Sequence, residues 1–259
     1  MNGALYSVVS GSLAAARRLE ITANNLANAN TSGFKAQQLV VGSRRPGVLD
    51  VPVPPGESVG VPGRTAVTTA HRTVTDLSQG AIRESGNPLD LAIAGPGIFV
   101  VTTPNGERYT RQGQFELDAT GRLVTSSGNP VQNKEGDDIT LPPGRIEIAA
   151  DGRISVTEGN ISVKPTERAT LRLVRFLDSE AVIPEGGTLF RARAGAGVVD
   201  ADPGETQLIQ GSIEDANVDV IKGLLQIIEV ARGYDAYMQA MRKVDGSVEI
   251  AIRQVGGRG

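Results

Sequence analysis

The chain contains no cysteine, and that one absence removes disulfides, thiolate metal sites and cysteine nucleophiles together. Tryptophan is also missing and aromatics make up only 3% of residues, which argues against a ligand pocket built on ring stacking. Charge of one sign is lacking too: 26 Lys and Arg stand against 29 Asp and Glu, a net −3 with both signs interspersed, so there is no field to hold a nucleic acid or an anionic membrane. No apolar run approaches the ~18 residues of a spanning helix. Ser7, Ser10, Gly11 and Ser12 interrupt the N-terminal stretch where a secretory signal would need a continuous apolar core. The expectation is a chain with no cleaved signal peptide and no direct membrane insertion.

Catalytic chemistry finds equally little to work with. The one histidine, His71, lies beside Arg72 in a Pro/Gly-rich stretch with no Ser or Cys nucleophile context, and reads as satisfied or solvent-facing. Asp137, Asp138, Asp200 and Asp202 could be imagined as acid/base pairs, but all four lie in turn-like sequence where solvated charge is the default. The glycines at Gly95-Pro96-Gly97 and in Ala192 to Gly197 lack the strand, glycine loop, helix and lysine that a phosphate cradle requires. The reading is that the chain is not an enzyme and holds no cofactor or metal.

What the sequence does have is 32 glycines, 14 prolines and 39% hydrophobic residues over 259 positions, enough for one large domain or two ordinary ones with a Val/Ile/Leu core. The C-terminal segment 217–254 is the most strongly patterned part. Leu224, Ile227, Ala231, Tyr234, Met238, Met241, Val248 and Ile252 recur at alternating steps of three and four, with Asp245 the one charged residue in the series. That is a heptad seam over roughly four heptads, on a helix that would run about 55 Å at ~1.5 Å per residue. Leu5, Val9, Ser12, Ala16, Leu19, Ala23 and Leu26 follow the same alternation at the other end, predicting a helix over 4–27. Apolar residues flank both seams: Val8, Leu13 and Ile21 beside the first, Ile221, Leu225, Ile228 and Val230 beside the second. One pair of helices cannot cover both stripes, so further helices must come from other copies or other proteins.

Between the termini the period changes. Residues 37–75 carry five prolines and five glycines between Gly42 and Gly63 with no helical period, which reads as a flexible surface loop or as an extended arm that orders against a neighbour. Val67, Thr69 and Val74 hint at one extended piece before Asp76. From Ser78 to Gln210 the period is two. Short apolar runs such as Leu89 to Ile93, Ile98 to Val101, Phe115 to Leu117 and Leu171 to Phe176 are separated by turn pairs such as Asn105-Gly106, Thr120-Gly121 and Asp151-Gly152. Short strands at this spacing with no crossover helices predict an antiparallel β domain.

The first helix ends in the string Ala23-Asn24-Asn25-Leu26-Ala27-Asn28-Ala29-Asn30-Thr31-Ser32-Gly33-Phe34-Lys35. Four Asn followed by Thr-Ser-Gly terminate a helix and begin a turn on chemical grounds alone. The whole string also resembles the N-terminal signature of the bacterial flagellar rod and hook proteins, the axial proteins of the flagellum. The resemblance continues in Asn87 to Phe99, in Tyr109 to Phe115 with Asp118, Gly121, Leu123 and Val124, and in Gly211 to Asp219, then through Tyr234 to Asp245. Nearly the whole chain is covered in the family's order. Ala4-Leu5-Tyr6 and Phe34-Lys35-Ala36-Gln37 look most like the proximal rod subtype, with the distal rod protein second. Lys222 and Gly233 depart from the family's common pattern.

Together these readings predict an α+β fold. Its N- and C-terminal helices pair as a coiled-coil-like layer, with a central antiparallel β-rich domain inserted between them. The boundaries are 1–35 for the N-terminal helix, 36–77 for the arm, 78–210 for the outer β domain and 211–259 for the C-terminal helix. The resemblance implies a structural subunit of the basal-body rod, a hollow axial shaft that transmits torque and passes exported subunits. Its partners would be other copies, other axial proteins and the flagellar type III export apparatus. Its location would be the rod that spans the periplasm. A subunit of another secreted or phage-tail-like tube is the competing reading. The residues expected to carry assembly are Leu5, Val9, Leu13, Leu19, Asn24, Asn25, Leu26, Asn28, Asn217, Val218, Leu224, Ile227, Ile228, Tyr234, Met238, Met241 and Val248.

Overall fold

A computed structural model describes residues 2–43, 68–158 and 164–256. The chain divides into two compact units. One contains the terminal helices and residues 37–73, and the other contains residues 27–36 and 74–219.

In the helical unit, helix α1 runs Asn2–Ala27 and helix α2 runs Val220–Gly256. The two lie close together, since a Cβ built on Gly11 would sit 2.6 Å from Cε1 of Tyr237. Ala- and Leu-rich sequence favours α1, while the apolar spacing of α2 carries it through Gly223 and Gly233, each costing ~1 kcal/mol relative to Ala. The 36–77 stretch, expected as an arm, has regular structure at both its ends: strand Gln37–Ser43 pairs with strand Thr68–Thr75. His71 lies in the second of these strands, and its side chain falls outside the described residues.

The other unit is built on antiparallel sheet. Its largest sheet has six strands, in the order Val182–Gly186, Leu189–Ala192, Gly106–Thr110, Ile98–Thr103, Leu173–Phe176 and Val198–Asp200. The expected Asn105-Gly106 turn closes the central hairpin, with Val100 opposite Tyr109 and Val101 opposite Arg108. Because side chains alternate along a strand, Ile98–Thr103 feeds two cores at once. Ile98 and Val100 join Tyr109, Val174, Val182 and Phe190 on one face. Phe99 and Val101 join Leu91, Phe115, Leu123, Ile154 and Leu171 on the other. The few rings are concentrated here: Phe99 meets Phe115 edge-on at 5.0 Å, and Tyr109 meets Phe176 edge-on at 5.0 Å.

Four smaller sheets complete the unit among the described residues. Arg145–Ile148, Arg153–Thr157 and Thr166–Thr170 form a three-stranded sheet, turning at Asp151-Gly152. Phe115–Leu117 and Leu123–Thr125 pair around Asp118, whose carboxylate accepts from the backbone N–H groups of Thr120 and Arg122 at 2.8 and 2.9 Å. The Thr120 hydroxyl, which donates to the same carboxylate, together with those backbone bonds and Arg122 Nε, holds the Asp118 carboxyl well below the usual carboxylate range. Gln207–Gln210 pairs with Leu91–Ala94, and Ser212–Glu214 with Ile82–Glu84. The β unit therefore continues past Gln210, and α2 begins only at Val220.

Candidate assembly interface

The helices divide their apolar residues between two faces. On α2, Ile227, Ala231, Tyr234, Met238 and Met241 are half-buried and Val230 is buried, so the face carrying the expected seam is shielded through Met241. Ile221, Leu224, Leu225 and Ile228, spaced as one stripe on a second face, are 72%, 49%, 62% and 51% exposed. Leu224, expected within the seam, thus belongs to the open stripe, as does Ile228. Val248 lies in α2, but its side chain is outside the described residues.

On α1 the shielded face overlaps the expected seam at Ser12, Leu19 and Leu26 but extends to one side of it, where Ile21 is 6% exposed. Val8, Gly11, Ser12, Ala15, Leu19 and Leu26 are half-buried and Thr22 is buried, whereas Val9 and Leu13 are 44% and 62% exposed and Ala16 and Ala23 are exposed. One contact on that side is made at Gly11. It reads in sequence as a weakness in the helix, yet its missing side chain is where the ring of Tyr237 lies. Leu5 sits in α1, with its side chain outside the described residues.

The Asn-rich string does more than stop the helix. Asn25 bridges the end of α1 to the strand that follows: its amide donates to Gln37 O at 2.8 Å and its carbonyl oxygen accepts from Gln37 N at 2.9 Å. Asn24 is exposed. Asn28 accepts from Thr31 N at 3.0 Å through its backbone carbonyl, starting the turn that Gly33 completes at φ +72°. A Cβ at Gly33 would also lie 2.3 Å from Gln112 N, so positive φ and a close backbone approach both select glycine.

Immediately after this turn Lys35 enters the interior of the β unit. Its Nζ donates to the Glu214 carboxylate at 2.6 Å and to Ser78 O at 2.6 Å, with the lysine side chain 0% and the glutamate side chain 1% exposed. The second carboxylate oxygen of Glu214 accepts from Arg111 Nη1 at 2.9 Å, and Gly80 N donates to the first at 2.8 Å. Two buried cations therefore share one buried anion. The excess positive charge is met by carbonyl oxygens of Ser78, Ile93 and Gly95, which accept from Lys35 and Arg111, and by a weaker attraction of Lys35 to Asp76. Burial pushes Lys35 and Arg111 below their ordinary pKa values, and Glu214 opposes the shift at each.

Asn217 reinforces the same junction. Ala36 N donates to its side-chain oxygen at 2.7 Å, while its amide donates to Asp76 O at 2.9 Å and Ser78 O at 3.1 Å. Val218 beside it is half-buried. The N-terminal string, the Tyr109 to Phe115 segment and the Gly211 to Asp219 segment, far apart in sequence, thus meet in one hydrogen-bonded cluster. Sequence reasoning found all three segments but not the triad, because each charged residue taken alone reads as a solvated one. The one available signal was a charged residue inside each of the three segments.

Of the carboxylates considered as acid/base pairs, Asp200 ends the strand Val198–Asp200 opposite Val174, and Asp138 bridges to Gln132. Asp202 accepts from Gly204 N at 2.8 Å, and Asp138 accepts from Thr102 Oγ1 at 3.1 Å.

Three family models match along the chain: "Flagella basal body rod protein" over residues 5–35, "Flagellar hook protein FlgE/F/G D1 domain" over 92–156, and "Flagellar basal body rod FlgEFG protein C-terminal" over 209–253. Among curated relatives, the flagellar basal-body rod protein FlgF of Caulobacter vibrioides is 31% identical over 99% of both chains. FlgF of Rhizobium meliloti is 34% identical, again over 99% of both. The flagellar basal-body rod protein FlgG of Bacillus subtilis is 30% identical over 90% of this chain and 91% of its own.

Proposed function

The chain belongs to the flagellar basal-body rod protein family, as a structural subunit and not an enzyme, and from that premise we propose that its two terminal helices carry assembly while the β unit carries the fold of the individual subunit. Its place is the flagellar basal body, among other axial proteins of the rod and hook family. The observation that carries the proposal is the open stripe of Ile221, Leu224, Leu225 and Ile228 beside a second stripe already shielded within the subunit. An apolar helical face of this kind in water marks an interaction surface. Helices of neighbouring copies or of other axial subunits cover it, together with Val9 and Leu13 on α1, and so build the wall of a hollow shaft.

The proximal rod position is the finer assignment. It is supported by the opening Ala4-Leu5-Tyr6 and by relatives named FlgF that align with this chain from end to end. Delivery is through the flagellar export apparatus as an unfolded chain with no cleaved signal, supported by the interrupted N-terminal apolar stretch. Mass spectrometry of the assembled protein should find it beginning within a residue or two of Met1; a start ~20 residues in would point to Sec export.

The natural absence of cysteine makes the interface test direct. Leu225→Cys should react with a soluble thiol reagent in the free subunit and be protected in isolated basal bodies. Lys134→Cys, at an exposed turn of the β unit, serves as the comparison position. Equal reactivity of Leu225→Cys in both states would remove the α2 stripe from the interface.

A further inference from the structure

The buried triad belongs to the β unit, and its chemistry points to a role different from that of the open stripe on α2. Glu214 lies 179 residues from Lys35 and 103 from Arg111, yet it is the carboxylate within ion-pair distance of both. The strand that carries it, Ser212–Glu214, pairs with Ile82–Glu84 near the opposite end of the unit. The turn before Lys35 closes on the same residue, since Gly33 N donates to Glu214 O at 2.7 Å. A chain lacking this segment holds almost all of both apolar cores, yet would have to bury two cations without the anion they share.

We infer that the Lys35–Glu214–Arg111 triad is a completion latch, which makes folding of the β unit wait for the segment around Glu214. Burying a cation whose anion is missing removes a large share of the small net stability of a marginal domain, and the strands of the same segment are missing with it. The partly delivered chain therefore stays open, although most of its hydrophobic residues are present. Once Glu214 arrives, three distant segments lock together and the unit closes as a whole. This deepens the proposed delivery as an unfolded chain, and rests on that reading only for its purpose. The latch itself is a property of the purified full-length protein.

Hydrogen exchange on the full-length protein tests it. In the wild type, amides of Ser212–Glu214 and of the central strand Ile98–Thr103 should exchange through one common opening. Glu214→Gln keeps the size of the side chain and removes its charge. It should lower protection on the order of 100-fold or more, by the same factor in the central strand as in residues 206–219. Adding Lys35→Met returns the cluster to its original net charge and should recover at least about tenfold of that protection in both places, even if the single variant retains none. A loss confined to residues 27–36 and 206–219 would overturn the latch, because the sheet would then close without it. So would wild-type protection in Glu214→Gln, or a double variant no better than the single one. None of these readouts depends on export, so a processed N-terminus would refute the export reading while leaving the latch standing.

Discussion

The β unit and the helical unit solve opposite problems with the same kinds of residue. In the β unit, Leu91, Phe99, Val101, Leu123 and Ile154 are all within 1% of full burial, and the few rings pack against one another. In the helical unit, side chains as apolar as these lie half or more exposed on α2, at Ile221, Leu225 and Ile228. One unit has spent its apolar surface on itself, and the other has kept much of it available. The difference teaches where stability and assembly reside: a fold that must exist alone closes its core, and a surface that must be shared leaves part of it open.

The sharpest way to break this comparison is a charge in each unit. Leu91→Asp places a carboxylate among Ile93, Phe99 and Phe115 with no cation assigned to it, a cost of ~3–5 kcal/mol. That is a large share of a domain's stability, so the melting transition of the β unit in the free subunit should fall steeply or vanish. Leu224→Asp should leave the same transition within about 0.5 kcal/mol of wild type, because Leu224 is already about half exposed. Its effect should appear in the cell instead, as non-motile bacteria without a completed rod, since the charge recurs at every copy incorporated. The division between units fails if Leu224→Asp melts the β unit as Leu91→Asp does, or if it leaves motility intact.

The two units were also unequally legible in sequence. Strands at Ile98, Phe115 and Leu123 and the turns between them follow from alternation and Asn-Gly or Thr-Gly pairs, which are local signals. Both helices were legible for the same reason, to within a few residues at each end. How far the shielded face of α1 extends was not. Ala15 and Ala16 are chemically equivalent and Ser12 and Gly11 are both small, so nothing local announces that Ala15 is half-buried, Ala16 exposed and the Tyr237 ring close over Gly11. Pairing of Gln37–Ser43 with Thr68–Thr75 was hidden by the prolines and glycines between them. The triad was hidden by distance: nothing near Lys35 in sequence announces that its anion is Glu214. What sequence could not give was the set of contacts made by residues of ordinary type at long separation.

A smaller perturbation sharpens the helical side alone. Gly11→Ala would bring a methyl group to 2.6 Å from Tyr237 Cε1 and 2.8 Å from Cζ, closer than atoms pack. The ring end can shift, since Tyr237 is 38% exposed, so the expected loss is near the low end of overpacking costs, about 1 kcal/mol. Hydrogen exchange of α1 in the free subunit should accelerate accordingly, and Tyr237→Ala in the same chain should remove that sensitivity. If Gly11→Ala slowed exchange instead, helix propensity would outweigh the contact with Tyr237.

The smallest expected effect has the opposite sign. Gly233 lies inside α2, and a Cβ there would meet nothing within 4 Å, so Gly233→Ala adds helix propensity without a steric cost inside the subunit. The gain should be about 0.5–1 kcal/mol, read as a few-fold slowing of amide exchange in the surrounding turns of α2. The melting transition of the β unit should not move. Both apolar cores of that unit are built without a residue of α2, and a more helical α2 supplies them with no new contact. A rise in the β unit's transition that kept pace with protection in α2 would show that the two units unfold as one. It would mean that the apolar surface held open for neighbours also supports the subunit that carries it.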